Sequence, residues 1–169
     1  MRKSFVKTNL RVIKKSNTLA ESPLSNLIPG RQESKRLTRS IVDKTRRWLD
    51  ECQDQHQYCP KRSTPKLPKR VLAIPNDGDE SIRLHISQKE ERGEYAALSY
   101  CWGGDQQFKT TSLSIGAYTK SMPLHLLPNT LRDAVKVCQK MGTRFLWVDS
   151  PCIVQDDPED KDVEIAGMG

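Results

Sequence analysis

Residues 127–149, LPNTLRDAVKVCQKMGTRFLWVD, place a helix pattern directly before a strand pattern. We expect Asn129 or Thr130 to cap the helix, because short polar side chains accept hydrogen bonds from the free amides at a helix start. Gly142 is expected to end it, since glycine readily adopts the left-handed conformation that closes many helices. The apolar run 144–148 follows at once and predicts a buried strand. One face of the helix should pack into the core, and it carries Leu131, Ala134, Val135 and Cys138.

A second apolar run, YAALSY at 95–100, lies upstream and predicts another strand buried on both faces. A long polar loop separates it from the helix. Downstream, the acidic stretch after residue 155 predicts a last helix, with Asp157 as its cap and Pro158 at its first position. The order strand, loop, helix, strand, helix favours a right-handed crossover between parallel strands and therefore an α/β fold with a parallel sheet.

The carboxyl ends of the two strands should share one edge of the sheet, where open parallel sheets bind ligands. Gly103, followed by another glycine, would let a ligand approach the backbone closely. Asp149 could act as a general base or hold a ribose hydroxyl, or it could only cap the following turn by accepting backbone N–H bonds. We call this edge the rim, and the side chains expected to meet there are Ser99, Tyr100, Trp102, Asp149 and Cys152.

Two of these rim residues have simpler structural interpretations. Trp102 could stack on a ligand ring or could fill the end of the sheet. Cys152 could be a nucleophile only if the fold brought His85 or His125 to it, because no histidine is near it in sequence. An inert buried thiol is therefore the expected state of Cys152.

Upstream of the two strands, the chain divides into three segments. Residues 1–36 show no sustained period and are expected to be a disordered basic tail. Residues 37–59 predict a helix that precedes the domain, and residues 60–94 predict a Pro-rich linker followed by a β-hairpin of strands 70–74 and 82–86. The helix has an apolar stripe at helical spacing, formed by Ile41, Thr45, Trp48, Leu49 and Cys52.

The positive charge of the chain is concentrated near its beginning. Residues 1–47 contain 13 Lys and Arg against 3 Asp and Glu, whereas the remaining 122 residues contain 15 against 18. A basic tail can bind nucleic acid or anionic lipid, but no aromatic platform or zinc-finger spacing accompanies it. We therefore expect a solvated extension and no nucleic-acid binding, with a mitochondrial transit segment as the alternative.

No apolar stretch is long enough to predict a signal peptide or a membrane span. Five cysteines, an odd number, predict reduced thiols in the cytosol or nucleus. Cys52, His56 and Cys59 form a C-x3-H-x2-C pattern, but zinc would need a fourth ligand and none lies nearby in sequence. A helix-end cluster packed under Trp48, with no metal, is the preferred interpretation.

Three blocks of the sequence resemble those of the fungal heterokaryon-incompatibility (HET) domain. They are LSYCWG at 98–103, LPNTLRDA at 127–134 and LWVDSPCIVQDD at 146–157, in the family's order. The resemblance assigns residues 95–169 to the N-terminal part of such a domain. Gln155, which belongs to the third block, joins the predicted binding rim.

The resemblance implies a role in fungal non-self recognition and programmed cell death, a form of innate immunity. It further implies action in the cytoplasm through a protein partner or self-association. The family is distantly similar to Toll/interleukin-receptor-type domains, some of which cleave NAD with a catalytic glutamate. NAD cleavage is therefore the alternative activity, with NAD as a substrate and no resident cofactor. Asp149 and Glu164 are the candidate catalytic carboxylates, and Glu159 is also available.

Two departures from the family pattern affect these expectations. Pro151 stands where the family has an apolar residue, and proline biases Ser150 away from the helical region. The rim geometry around Asp149 and Cys152 is expected to be altered as a result. The family pattern also continues beyond Gly169, so an inactive truncated fragment is a further interpretation.

Overall fold

The computed structural model of the chain describes residues 8–11, 37–59, 64–102, 104 and 106–167. These residues form a sheet with helices packed against it, which confirms the predicted α/β class. The strands lie in the order β1-β4-β6-β2-β3-β5. Their bounds are β1 Thr8–Arg11, β2 Arg70–Ala73, β3 Ser81–Ile86, β4 Tyr95–Ser99, β5 Met122–Pro123 and β6 Phe145–Val148.

The sheet is mixed, whereas the sequence predicted a parallel one. β1, β4 and β6 run parallel to one another, while β2 pairs antiparallel with β6, β3 with β2, and β5 with β3. The predicted neighbourhood of the two buried strands is confirmed, since Tyr95 is opposite Phe145 and Leu98 is opposite Val148. The antiparallel half arises because a two-stranded hairpin is marginally stable alone, and β2 gains stability by pairing with the free side of β6.

The predicted crossover helix between β4 and β6 is α3, Asn129–Met141. Its apolar face is buried as expected, and Gly142 ends it with φ 75°. Its amino end differs from the expectation, because no side chain caps it and Pro128 occupies the cap position. Asn129 is already helical, and its side-chain oxygen accepts a hydrogen bond from the Arg132 guanidinium instead.

The segment predicted as a Pro-rich linker and a separate hairpin is part of the same sheet. The hairpin itself is confirmed as β2 and β3, with a turn in which Gly78 has φ 100°. The hairpin is not separate from the two predicted buried strands, because β2 lies between β3 and β6. The end of the predicted linker is also fixed: the Leu67 amide donates to the Glu91 carbonyl at 2.9 Å, and Leu67 is buried.

The first long helix is α1, Arg39–Gln55, and Thr38 caps it. None of the residues of its predicted apolar stripe is buried, and Trp48 is 58% exposed; the buried residue of the helix is Val42, which lies outside that stripe. The α1 helix contacts α3, where the Arg46 guanidinium donates to the Lys140 carbonyl at 2.7 Å. The buried face of α1 is therefore narrow and does not coincide with the predicted stripe.

Most of the predicted disordered tail, residues 1–36, lies outside the described residues. The exception is β1, Thr8–Arg11, which pairs in parallel with β4 and corrects the prediction for those four residues. An edge strand presents unpaired backbone groups that any extended segment can bind, which explains how a stretch without a clear strand pattern joins the sheet. None of the described helices is both long and apolar enough to span a membrane.

Short elements complete the described fold. The long polar loop contains α2, Ile115–Tyr118, and one turn of 3-10 helix, Leu124–Leu126. A single helical turn, α4, Asp149–Cys152, follows β6 directly. The predicted last helix is α5, Pro158–Gly167, and the Asp157 carboxylate caps it by accepting from the Asp160 amide at 3.1 Å.

Candidate functional site at the sheet rim

The ends of β4 and β6 bring side chains of two segments that are distant in sequence into contact. The Trp102 indole N–H donates to Asp149 Oδ2 at 2.9 Å, and the Tyr100 hydroxyl lies 3.1 Å from the Ser150 hydroxyl. Parallel pairing causes this, because strands that run side by side end at the same edge. The structure thus places Tyr100, Trp102 and Asp149 together, as the sequence predicted.

Each oxygen of the Asp149 carboxylate accepts one hydrogen bond. Oδ1 accepts from the Ser150 amide at 2.7 Å, while Oδ2 accepts from Trp102. Burial raises the pKa of Asp149, although these two hydrogen bonds oppose the increase. The contact with the Ser150 amide is the turn-capping role that the sequence left open, since it satisfies a free amide at the start of α4.

Pro151 does not disrupt this turn. It is the third residue of α4, and the amides of a first helical turn have no partner within the helix. The expected bias of Ser150 away from helical conformation is therefore wrong. Inside the core, the Pro151 carbonyl accepts from the Thr110 hydroxyl at 2.6 Å.

Gln155 and Thr110 support the rim through hydrogen bonds to its backbone. The Gln155 carboxamide donates to the Asp149 carbonyl at 2.9 Å, and its backbone amide donates to the Thr110 carbonyl at 2.8 Å. The Thr110 amide in turn donates to the Ser150 carbonyl at 3.0 Å, and Thr110 is completely buried. Sequence reasoning missed Thr110, because a single threonine in a polar loop carries no periodic signal.

Two predicted rim residues within the described part of the chain, Ser99 and Cys152, do not join this network of hydrogen bonds, and the predicted Gly103 lies outside the described residues. Ser99 is exposed at the end of β4. Cys152 is fully buried, because the α4 turn directs its sulfur towards the backbone amide of Val148, 3.5 Å away. Burial raises the pKa of the Cys152 thiol to about 12, so the prediction of an inert thiol is supported and its place on the rim was wrong.

The second candidate carboxylate, Glu164, lies in a different environment. It is buried on α5, where burial raises its pKa and the charges of Arg70, Asp160 and Lys69 act on it. The charges around Glu164 thus come from residues 69 and 70 and from α5, whereas Asp149 bonds to Trp102 and Ser150; Glu159 is exposed.

A buried ion pair supports the segment that carries Gln155. Arg70 and Asp160 are both buried and form a salt bridge, and Lys69 Nζ adds a contact to Asp160 at 2.8 Å. Asp160 also accepts from the Val154 amide at 2.9 Å, and Arg70 Nε donates to the Cys152 carbonyl at 2.7 Å. This pair thus fixes the backbone on both sides of residue 153.

Comparison with known proteins identifies one matching family. The family model described as "Heterokaryon incompatibility protein (HET)" matches residues 95–169. This range contains both rim strands, α3, α4 and α5. No curated protein and no solved structure gives a significant match. The similarity to Toll/interleukin-receptor-type domains stays a prediction.

Proposed function

We propose that this chain, whose residues 95–169 belong to the heterokaryon incompatibility (HET) family, acts in fungal non-self recognition and cell-death signalling. It would do so in the cytoplasm, by binding a protein partner or another copy of itself through the rim. The supporting observation is that the polar groups of Trp102, Asp149 and Gln155 are hydrogen-bonded to one another or to the backbone beneath them.

This arrangement favours a binding surface over a catalytic centre. Both carboxylate oxygens of Asp149 already accept a hydrogen bond, and the two donors hold the carboxylate in place beside Trp102. Groups held by hydrogen bonds keep one geometry, so binding of a partner to this surface loses little conformational entropy. Ser99, Cys101 and Gly104 are exposed around the network and offer a small surface for such contacts.

The proposal is tested by inducible expression of the whole chain in a filamentous fungus, with viable colonies counted after induction. We expect wild type to reduce colony number and Asp149→Asn to lose this effect, because an amide nitrogen would replace one of the two accepting oxygens. Asp162→Asn is the matched control, since Asp162 is exposed on α5 and away from the network. Equal toxicity of all three proteins, or toxicity of none, would contradict the proposal.

NAD cleavage at the rim is the second candidate function, and one observation favours it. Burial raises the pKa of Asp149, which is the direction expected of a general acid or base that works near neutral pH. The half-buried Trp102 beside it could stack on a nicotinamide or adenine ring. Intracellular NAD should be measured in the same induced cultures. Loss of NAD in wild type, but not in Asp149→Asn, would favour the enzyme; toxicity with unchanged NAD would favour signalling.

A further inference from the structure

Three side chains at the carboxyl end of α1 converge at a place remote in sequence from the HET segment. The ligand atoms of Cys52, His56 and Cys59, which we call the Cys-His cluster, all lie within 4.8 Å of one another. The two sulfurs are 2.8 Å apart, and the Cys59 sulfur is 3.6 Å from His56 Nδ1. The three residues form a C-x3-H-x2-C pattern in the sequence, and the structure brings their ligand atoms together.

The backbone produces this convergence. Cys52 and His56 are four residues apart, so they lie on the same face of α1 at its end. His56 is the carboxyl-terminal cap, and its amide donates to the Cys52 carbonyl at 3.4 Å. A turn then folds the chain back, with the Cys59 amide donating to the His56 carbonyl at 3.4 Å. Cys59 is thereby returned to the side of Cys52.

We propose that the Cys-His cluster binds one zinc ion through the two sulfurs and an imidazole nitrogen. Thiolate and imidazole are the preferred ligands of zinc in proteins. On binding, both thiols release their protons to solvent, and two thiolates with a neutral imidazole balance the charge of Zn²⁺. This inference does not depend on the proposed signalling function, because no rim residue contributes to the cluster.

The distances agree with zinc after a small movement. Two sulfurs bonded to tetrahedral zinc at about 2.3 Å stand roughly 3.8 Å apart, so Cys52 and Cys59 must separate by about 1 Å. The separation of the Cys59 sulfur and His56 Nδ1, 3.6 Å, already suits two ligands of one zinc ion. A disulfide between the cysteines would also suit their closeness, but it gives no role to His56. The position of the imidazole is therefore what favours a metal.

Three protein ligands leave one tetrahedral position for water or for a ligand atom of another molecule. Residues 60–63, which follow the cluster, are Pro, Lys, Arg and Ser and contain no further Cys, His, Asp or Glu. Bound zinc would cross-link the last turn of α1 to the chain that follows it. We therefore expect zinc to raise the Tm of the full-length protein as well as to bind.

The test is zinc binding by the reduced full-length chain, with metal content measured by mass spectrometry after dialysis. Wild type should retain one zinc per chain, and cobalt in its place should give a sulfur-to-metal charge-transfer band. Cys52→Ser and Cys59→Ser should lose the zinc and the band. His56→Ala should weaken binding by at least about 10- to 100-fold, which is the loss that removal of a mere outer-shell partner already causes.

Cys101→Ser and His125→Ala are the matched controls, because both residues are exposed and outside the cluster. Both should bind zinc as wild type does. Three results would overturn the proposal: no zinc bound by the reduced wild type, equal binding by Cys52→Ser, or a Cys52–Cys59 disulfide in a protein whose reduced form takes up no metal. Because the readout is metal content, failure here would leave the signalling proposal unaffected.

Discussion

Asp160→Asn should be the most damaging single-atom change on α5. Asp160 is 5% exposed and accepts hydrogen bonds from Arg70, Lys69 and the Val154 amide. The asparagine would remove the charged partner to which the buried Arg70 is hydrogen-bonded, and removal of one partner of a buried pair costs about 3–5 kcal/mol. Because the chain has a small core, a loss of this size should be a large part of its total stability.

The same contacts predict how the stability depends on pH. Burial alone would raise the pKa of Asp160, but the hydrogen bonds from Arg70, Lys69 and Val154 outweigh it and lower the pKa to about 2. Against an ordinary value of 3.8, this corresponds to about 2.5 kcal/mol of stability. A lowered pKa stabilises the fold above pH 3.8, and the contribution disappears as the pH falls from 3.8 towards 2.

The assay is urea unfolding of the full-length chain followed by circular dichroism, at pH 7 and at steps below pH 4. Asp162→Asn is the control, because the same change at an exposed position of the same helix should alter stability by less than about 0.5 kcal/mol. We expect Asp160→Asn to approach wild type only as the pH falls below 3.8. A loss of less than about 1 kcal/mol at pH 7, or a difference that does not change with pH, would refute the assignment of this buried pair.

Three further outcomes are expected from the same geometry. Trp102→Phe should cost about 1–2 kcal/mol in urea unfolding, because the half-buried Asp149 loses its indole donor. Relative to Glu164→Gln, wild type should lose stability as the pH rises above 4.5, because burial raises the pKa of Glu164 and disfavours its charged form; urea titrations at several pH values would detect this. Iodoacetamide should modify the exposed Cys101 in the folded chain and leave Cys152 intact until unfolding, as peptide mass mapping would show.

The parts of the fold that could be predicted are those with local signals. The α3 pattern and the adjoining strand are continuous in sequence. The spacing of their apolar residues, together with Gly142, therefore predicts a helix followed directly by a strand. Given two buried strands joined by one helix, parallel pairing follows from chain geometry. The meeting of Trp102 with Asp149 then follows as well, although the two residues are 47 positions apart.

The parts that could not be predicted depend on pairing between distant segments. An apolar run reveals that a strand is buried but not which strand lies beside it, so the place of β2 next to β6 had no sequence signal. The Arg70–Asp160 pair joins residues 90 positions apart, and charged residues at both places resemble ordinary surface charges in sequence. The Cys152 side chain points into the core because of the α4 turn. Pro151 argued against a helical turn at this position, so the sequence did not predict this orientation.

The central claim is that the Trp102–Asp149 contact forms a signalling surface, and survival after induced expression tests it most directly. Trp102→Ala should be compared with Trp48→Ala, the same substitution at an exposed position on α1, after both proteins are shown to unfold cooperatively in urea. We expect Trp48→Ala to reduce colony number as wild type does, and we expect Trp102→Ala to leave colony number unchanged. A folded Trp102→Ala protein that is as toxic as wild type would contradict it.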